Sequence, residues 1–429
     1  YFERFRLTTV GASVIGIELN DPRYGVLRNP NPDPPRPQLN VVGDNLDVLA
    51  TAFLKKYDKN RDGKVTKTEV PALVEKYFAQ LDVNDDDSIA DNELRSLSAL
   101  PLQKTNGLLT FQMAVPSVDE QFVEANPLAN LARVNWKVDE KATLTDADNP
   151  KIIRSVTFTI KSPDGKLEIR KRYEVKKVAL PKDVDDDELN DAWIALRDTK
   201  PEGYQLLCKL TFRNLDPNEE RSITYELQGP VGLPLENRKN TRKYRDIKVA
   251  FVNVDDGELD PESIDASSLV KQVDENEGPE WQSPFKYIGV DSQFFTCIVL
   301  PKKDQRREPY FSYSRPMLVR VDAEESEYSD ISIALSSKEI LLEPNGEYTH
   351  EFTIFAGPKR SQLLKPIGAE SSLDFSTWFG IGYISRAMVS ILTFIHSIPI
   401  PFIGHIPYGI AIIMLTIMVR GCMYPISCK

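Results

Sequence analysis

From about residue 105 to 365, apolar side chains recur at every second position in one short segment after another. In SVTFTI, Val156, Phe158 and Ile160 alternate with polar residues, and SPDG at 162–165 reads as a turn. Leu167, Ile169, Tyr173 and Val175 then return at even spacing, so the pair predicts a hairpin. YQLLCKLTF, RSITYELQG, DIKVAFVNV, FFTCIVL, DISIALSS and YTHEFTIFA continue the pattern. A period of two sends one face of each strand into a core. Strands this numerous, with no helices alternating between them, predict an antiparallel sandwich or barrel-like β domain. One acidic helical stretch, DVDDDELNDAWIAL (183–196), interrupts it, and no fixed-period repeat runs through the region.

Composition bounds the rest. At 429 residues the chain is too long for one ordinary domain, and 41% hydrophobic residues suffice for a sizeable core. With 53 Lys and Arg against 64 Asp and Glu, the net charge of -11 argues against a nucleic-acid-binding face. Three histidines and four cysteines leave little material for a zinc site or a His-based catalytic centre. The mean hydropathy of -0.34 hides a division, because the last fifty residues are strongly apolar. The chain starts at Tyr1 with no signal-peptide pattern and stops just after an apolar run, so it reads as a fragment or processed form of a longer protein.

Residues 1–45 open with an extended pattern, RFRLTTVGASVIGIEL, and turn Pro-rich at 29–38. Residues 46–100 change character: DVLATAFLKKY and VPALVEKYFAQL have helical spacing, and each leads into an Asp-rich loop. DKNRDGKVTKTE (58–69) matches the EF-hand calcium loop. Calcium takes six to eight oxygens, so ligands must recur at alternating positions. Asp58, Asn60 and Asp62 stand first, third and fifth, and Gly63 stands at the sharp turn. Lys64 offers its carbonyl, Thr66 is ninth, and Glu69 is twelfth, to bind bidentately. Val65, eighth, should pair with its counterpart in a partner loop. DVNDDDSIADNE (82–93) is that partner, with Asp82, Asn84, Asp86, Ser88 through its carbonyl, Glu93, and Ile89 as the eighth residue. Two departures weaken it: Asp87 replaces the turn glycine, and Ala90 supplies no ligand at the ninth position. The plain alternative is a helix–loop–helix with solvated acids. A calcium ion here is expected to staple the fold rather than to signal.

At the other end, Phe402 to Ile426 is long enough to cross a hydrocarbon core of about 30 Å. Arg420 interrupts it, at a cost of at least about 2–3 kcal/mol at that depth unless it faces water or a partner. Just before it, WFGIGYISRAMVSILTFIHSIPI (378–400) gathers Ile384, Met388, Ile391, Leu392 and Ile395 on one helical face. That pattern predicts an amphipathic helix in the membrane interface, separated from the span by Pro399, Pro401 and Pro407; a second transmembrane span is the alternative, against which the polar residues and prolines weigh. Arg420 and Lys429 lie at the far end of the span, which puts the β domain on the side away from the cytoplasm.

These last segments, WFGIGYISRAMVSILTFIHS and YGIAIIMLTIMVRGCMYPISCK, resemble the amphipathic helix and first post-domain membrane helix of the YidC/Oxa membrane protein insertases. EFTIFAGPKRSQLL (351–364), with Gly357, Pro358 and Lys359 at a turn, resembles the last strand of the large periplasmic domain of the Gram-negative members. RFRLTTVGASVIGIELND, QFFTCIVLP and LTFRNLDPNEERSITYELQGPVGLP are similar to other strands of it. The resemblance implies a mainly β, antiparallel β-supersandwich similar to the sugar-mutarotase fold. It implies a non-enzymatic insertase and chaperone of the bacterial inner membrane, residues 1–400 being periplasmic. Its partners would be nascent membrane proteins, the lipid bilayer and the secretion channel. Arg420 matches the arginine that lines the family's hydrophilic substrate groove. The EF-hand pair is a departure and looks like an insertion.

The organisation expected is first β strands over 1–45 and an EF-hand pair over 46–100. The main β domain over 101–370, an amphipathic helix over 371–400 and a transmembrane helix over 402–429 complete it. Cys208 and Cys297 lie in strands, where an oxidising compartment permits a disulfide and two buried thiols are the plainer reading. Cys422 and Cys428 are expected to pack in the membrane helix. Two rival functions stand beside the insertase. One is a membrane-anchored, calcium-dependent binding module. The other is a carbohydrate-active enzyme, which would need a carboxylate converging with His350.

Overall fold

The computed structural model describes residues 1–19, 54–70, 87–90, most of 109–373, 381–400 and 404–427. The chain forms two compact units, Tyr1–Ser372 and Leu373–Lys429.

The predicted hairpin is present as strands Ile153–Lys161 and Leu167–Val175. Its turn is held by local chemistry. Gly165 takes φ +70°, Ser162 Oγ accepts the Leu167 N–H at 2.9 Å, and Asp164 Oδ1 accepts the Lys166 N–H at 3.0 Å. The register sets Val156 opposite Tyr173, Phe158 opposite Lys171 and Ile160 opposite Ile169. All six therefore share one face, as alternation requires.

This hairpin belongs to a ten-stranded antiparallel sheet. Its order is Leu259–Asp265, Asp246–Val252, Phe285–Asp291, Phe295–Pro301, Glu347–Pro358, Gln205–Asn214, Leu167–Val175, Ile153–Lys161 and Lys137–Val138, with Leu144–Thr145 also on Ile153–Lys161. A six-stranded sheet runs Phe311–Arg320, Asp330–Ser337, Arg221–Gln228, Met113–Val118 and Gln121–Phe122, with Ile340–Leu342 also on Arg221–Gln228. Pro316 falls on the outermost of these strands, where a missing N–H is tolerated.

One apolar core joins the two sheets. Tyr225 of the smaller sheet stacks on Phe212 of the larger, with centroids 5.1 Å apart. Phe311 likewise stacks on Phe285 at 5.5 Å and on Phe352 at 5.9 Å. Phe295–Pro301 and Asp330–Ser337 are buried along their whole length, so both faces of each are covered. That explains their nearly continuous apolar or small-residue runs.

The first strands form a separate two-stranded ribbon, Glu3–Thr8 with Ser13–Leu19, tied to the domain by bridges from Val10 to Asn135 and from Val14 to Thr110. Gly11 makes the approach possible, because at φ +63° a Cβ there would lie 2.8 Å from the Ala132 carbonyl oxygen.

The acidic helix is observed as Leu189–Thr199, and 183–188 lie outside the described residues. Elements that no pattern announced also appear, among them the strands Met113–Val118, Leu259–Asp265, Phe285–Asp291 and Phe311–Arg320 and the helix Ala266–Asp274.

The second unit is a helix pair, Ile381–Ser397 and Tyr408–Ser427. Leu392 and Ile395 meet Ile406, Ala411, Leu415 and Val419. The His396 ring stacks on Tyr408 at 3.8 Å, and its Nδ1 meets the Ile406 carbonyl at 2.7 Å. A carbonyl can only accept, so this Nδ1 carries a proton.

Candidate functional site

Three places answer to the residues singled out by sequence: the acidic loop 58–69, the helix pair, and His350 with the two strand cysteines.

Helical residues Leu54–Tyr57 lead into the loop, and Asp58 N–H still bonds the Leu54 carbonyl at 2.8 Å. Asp58 then accepts the N–H groups of Arg61 at 2.6 Å and Gly63 at 3.0 Å. Asn60 Oδ1 accepts from Asp62 N–H at 2.9 Å, and Asp62 Oδ1 from Lys64 N–H at 2.9 Å. Gly63 sits at φ +84°, the left-handed turn the motif demands. Glu69 reaches back across the loop. One oxygen accepts from Lys59 N–H at 3.1 Å, and the other from Thr66 N–H at 2.8 Å and Thr66 Oγ1 at 2.9 Å. The Thr66 backbone bond is the foremost cause holding the Glu69 carboxyl below its usual range.

The expected partnership between the loops is present in the backbone. Lys64–Thr66 pairs with Ser88–Ala90, Val65 stands opposite Ile89, and both side chains are completely buried with Leu54, Tyr57 and Val70 around them. Asp87, at the turn position, adopts φ +57°, which Asp tolerates better than most residues. Its Oδ1 lies 2.5 Å from Lys67 Nζ, linking one loop to the other. Asp82, Asn84, Asp86 and Glu93 lie outside the described residues. Among the described residues, no three His, Cys, Asp or Glu side chains stand close enough together to hold a metal ion. The donor set of 58–69, oxygens at alternating positions around a left-handed turn, is still of the kind a hard cation takes.

In the helix pair, Leu392 and Ile395 are used in packing, while Met388, Ile391 and Phe394 are exposed. The apolar stripe expected on one membrane-facing side is therefore divided, because the following helix covers part of it. On Tyr408–Ser427, Ile410, Ile412, Ile413, Ile417 and Met418 are exposed, as is Arg420. Among the described residues no helix is long and apolar enough to cross a membrane. The described side chains of this helix end at Gly421, so Cys422 and Cys428 lie outside them.

His350 turns into the core. It is 2% exposed, its Nδ1 lies 2.6 Å from Tyr225 Oη, and its ring stacks on Tyr310 at 3.8 Å. Burial, with Lys303 nearby, lowers its pKa to about 3. Cys208 and Cys297 are both buried free thiols, and burial pushes Cys208 up to about 11 and Cys297 higher still. Neither thiol is activated as a nucleophile.

Two charged groups were not found by sequence. Lys171 occupies an inward position and is completely buried; its Nζ donates to the Phe111 carbonyl and lies 5.5 Å from the Tyr173 ring. Burial lowers its pKa to about 8. Lys359, of the Gly-Pro-Lys turn, lies 2.5 Å from Asp291, both side chains being nearly or wholly buried. Only the interruption of an apolar alternation at Lys171 could have signalled the first.

The sequence model of the YidC periplasmic domain matches residues 118–390, well over half of the chain. The chain belongs to that family. The match runs through both sheets and into the helix Ile381–Ser397. A membrane protein insertase YidC of Syntrophus aciditrophicus is 23% identical over 177 residues, covering 40% of this chain and 29% of that protein. One from Pseudoalteromonas atlantica is 25% identical over 146 residues, covering 34% and 23%. The matched part thus spans less than a third of these relatives. Among solved structures, a GalM/aldose epimerase homologue from C. elegans is 11% identical, covering 57% of this chain and 78% of that one, with a TM-score of 0.31. An α-galactosidase from Lactobacillus brevis gives 0.27 at 11% identity, covering 62% and 30%. Scores this low carry no argument about activity.

Proposed function

We propose that this chain is part of a membrane protein insertase and chaperone of the bacterial inner membrane. The observation that carries the reading is the family match over 118–390, which continues from the β domain into the helix beside the apolar end. In the full-length parent the β domain faces the periplasm and 402–429 spans the membrane, with Arg420 in a wet groove. The groove shelters the polar part of a client while its apolar part moves into lipid. That lowers the cost of burying polar backbone and charge in hydrocarbon. No covalent step is involved. Nascent membrane proteins are the clients, and the secretion channel is a docking partner of the β domain.

The loop pair over 46–100 binds calcium as a brace. Asp58, Asn60, Asp62, Thr66, Glu69 and the Lys64 carbonyl would hold one ion. Asp82, Asn84, Asp86, Glu93 and the Ser88 carbonyl would hold the second. The buried Val65–Ile89 pair supports this, since it couples the described parts of the two loops through the short pairing of Lys64–Thr66 with Ser88–Ala90.

The test is insertion of a small single-span protein into liposomes carrying the full-length parent, with and without calcium. Insertion above empty liposomes is expected, with little calcium dependence. No insertion would favour an anchored, calcium-dependent binding module. A cysteine at position 420 should react with water-soluble alkylating reagents in the parent; resistance would remove Arg420 from the groove.

A further inference from the structure

The ribbon Glu3–Thr8 with Ser13–Leu19 is a strand of neither large sheet. Its turn end is tied down. Gly11 N–H bonds the Val134 carbonyl at 2.8 Å, Trp136 N–H bonds the Thr9 carbonyl at 2.9 Å, and Val14 and Thr110 exchange two bonds of 3.0 Å. Tyr173 Oη donates to the Ala12 carbonyl at 2.9 Å. The open end is held by packing. Phe2 is completely buried, its ring 5.3 Å from that of Tyr204 and 6.3 Å from that of Trp193. Phe5 and Ile17, opposite each other in the ribbon, pack against the sandwich core. Between the two ends the register slips at Arg6 and Leu7, an irregularity of the kind at which a strand bends.

Glu3 stands at the open end, on the same face as Phe5. It is 6% exposed, and neither carboxyl oxygen has a hydrogen-bond partner. An ionised carboxylate in such a place costs far more than the neutral acid. Burial accordingly holds the Glu3 carboxyl well above its ordinary range. The surroundings do not compensate. The thiol of Cys297, in the strand Phe295–Pro301, is buried, and burial followed by the Glu3 charge pushes it up. Arg197 of the helix Leu189–Thr199 lies 6.0 Å from the Phe2 ring, and Asp146 and Lys177 meet at Tyr1. None of these groups bonds Glu3. Arg4, next in the strand, is exposed on the opposite face.

We propose that the open end of the ribbon is a pH-sensitive flap, shut over the core while Glu3 is protonated and released as Glu3 gives its proton to water. Release breaks no ladder of either large sheet, because the two ribbon strands pair with each other. The irregularity at Arg6 and Leu7 is the hinge, and Cys297 is among the side chains uncovered. The closed flap binds one proton that the open flap, with Glu3 in water near its ordinary 4.5, does not. Above that value the open fraction rises with pH, by up to about tenfold per unit, until Glu3 ionises in the closed state too.

The test treats the full chain in detergent with N-ethylmaleimide between about pH 6 and 8, where a hydrated Glu is ionised. Peptide mass spectrometry follows each thiol separately. Labelling tracks the open population while closing is fast. Cys297 reports the flap, and Cys208, buried in a central strand of the larger sheet, reports global unfolding. Cys297 should label faster than Cys208. Comparison with Glu3→Gln, which has no proton to lose, cancels the titration of the thiol itself. The ratio of wild-type to variant rates at Cys297 should climb with pH by up to about tenfold per unit, while the same ratio at Cys208 stays level. Glu3→Leu should give the same climb and serves if Glu3→Gln does not fold. A level ratio at Cys297, Cys208 labelling in step with Cys297, or no labelling of Cys297 across the range would each overturn the proposal.

Discussion

In the β domain, Asp291 and Lys359 are sealed against each other and His350 is held neutral among aromatic rings. In the loop 58–69, Asp58, Asp62 and Glu69 stand near water and are satisfied by backbone N–H groups within the same short segment. The domain buries dozens of apolar side chains around its charges. The described part of the loop pair centres on two, Val65 and Ile89. Burial on the first scale exceeds the cost of desolvating an ion pair. Burial on the second does not, so the loops gain their order from local turns and from any ion that takes their oxygens.

The largest effect should come from breaking the sealed pair. Lys359→Met leaves the Asp291 carboxylate in a dry site without its cation and should cost about 3–5 kcal/mol in urea unfolding at neutral pH. A loss below about 1 kcal/mol would mean that water reaches Asp291 and that the two regions differ less than argued.

A smaller effect concerns His350. Its pKa is near 6.5 in the unfolded chain and about 3 in the fold, so below pH 6.5 the unfolded state binds the extra proton. Stability from this group is fully present above pH 6.5 and is lost by about 1.4 kcal/mol per unit as pH falls toward 3. Wild type minus His350→Gln should isolate that slope from the carboxylates, which titrate in both. Equal slopes would place His350 in contact with water.

The smallest effect on the domain should come from calcium. Adding it should raise the protection of amide hydrogens at 58–69 while moving the sandwich's unfolding free energy by under about 0.5 kcal/mol, since ion binding stabilises only what folds with it. Glu69→Gln should weaken calcium binding in calorimetry by about tenfold or more. A calcium shift of the whole unfolding transition would show that loops and sandwich form one cooperative unit.

Much of this architecture was legible because alternation is a local property. Val156, Phe158 and Ile160 declared a strand and a face, and the turn SPDG declared the pairing. The EF-hand spacing likewise gave the Gly63 turn, made within one loop, and the Val65–Ile89 pair, because the eighth residues of two such loops are set to meet. Lys171 broke the rule it sat in. Its burial depends on the Phe111 carbonyl sixty residues away in sequence, which no local pattern contains. The apolar stripe of Ile381–Ser397 was read as one surface, and the next helix divided it.

Sequence by itself determined the strands with clear alternation, their inward faces, the two acidic loops and the division between a polar chain and an apolar end. Each follows from side-chain period, turn chemistry and hydropathy over a few residues. Tertiary structure alone decided which strands became neighbours, and so which outward residues shared a row. Arg172, Lys209 and Glu351 are adjacent only because three distant segments paired in one register. The same register sends His350 into the dry core. Pairing between remote strands is chosen by the packing of the whole core, a sum over contacts that no single segment carries.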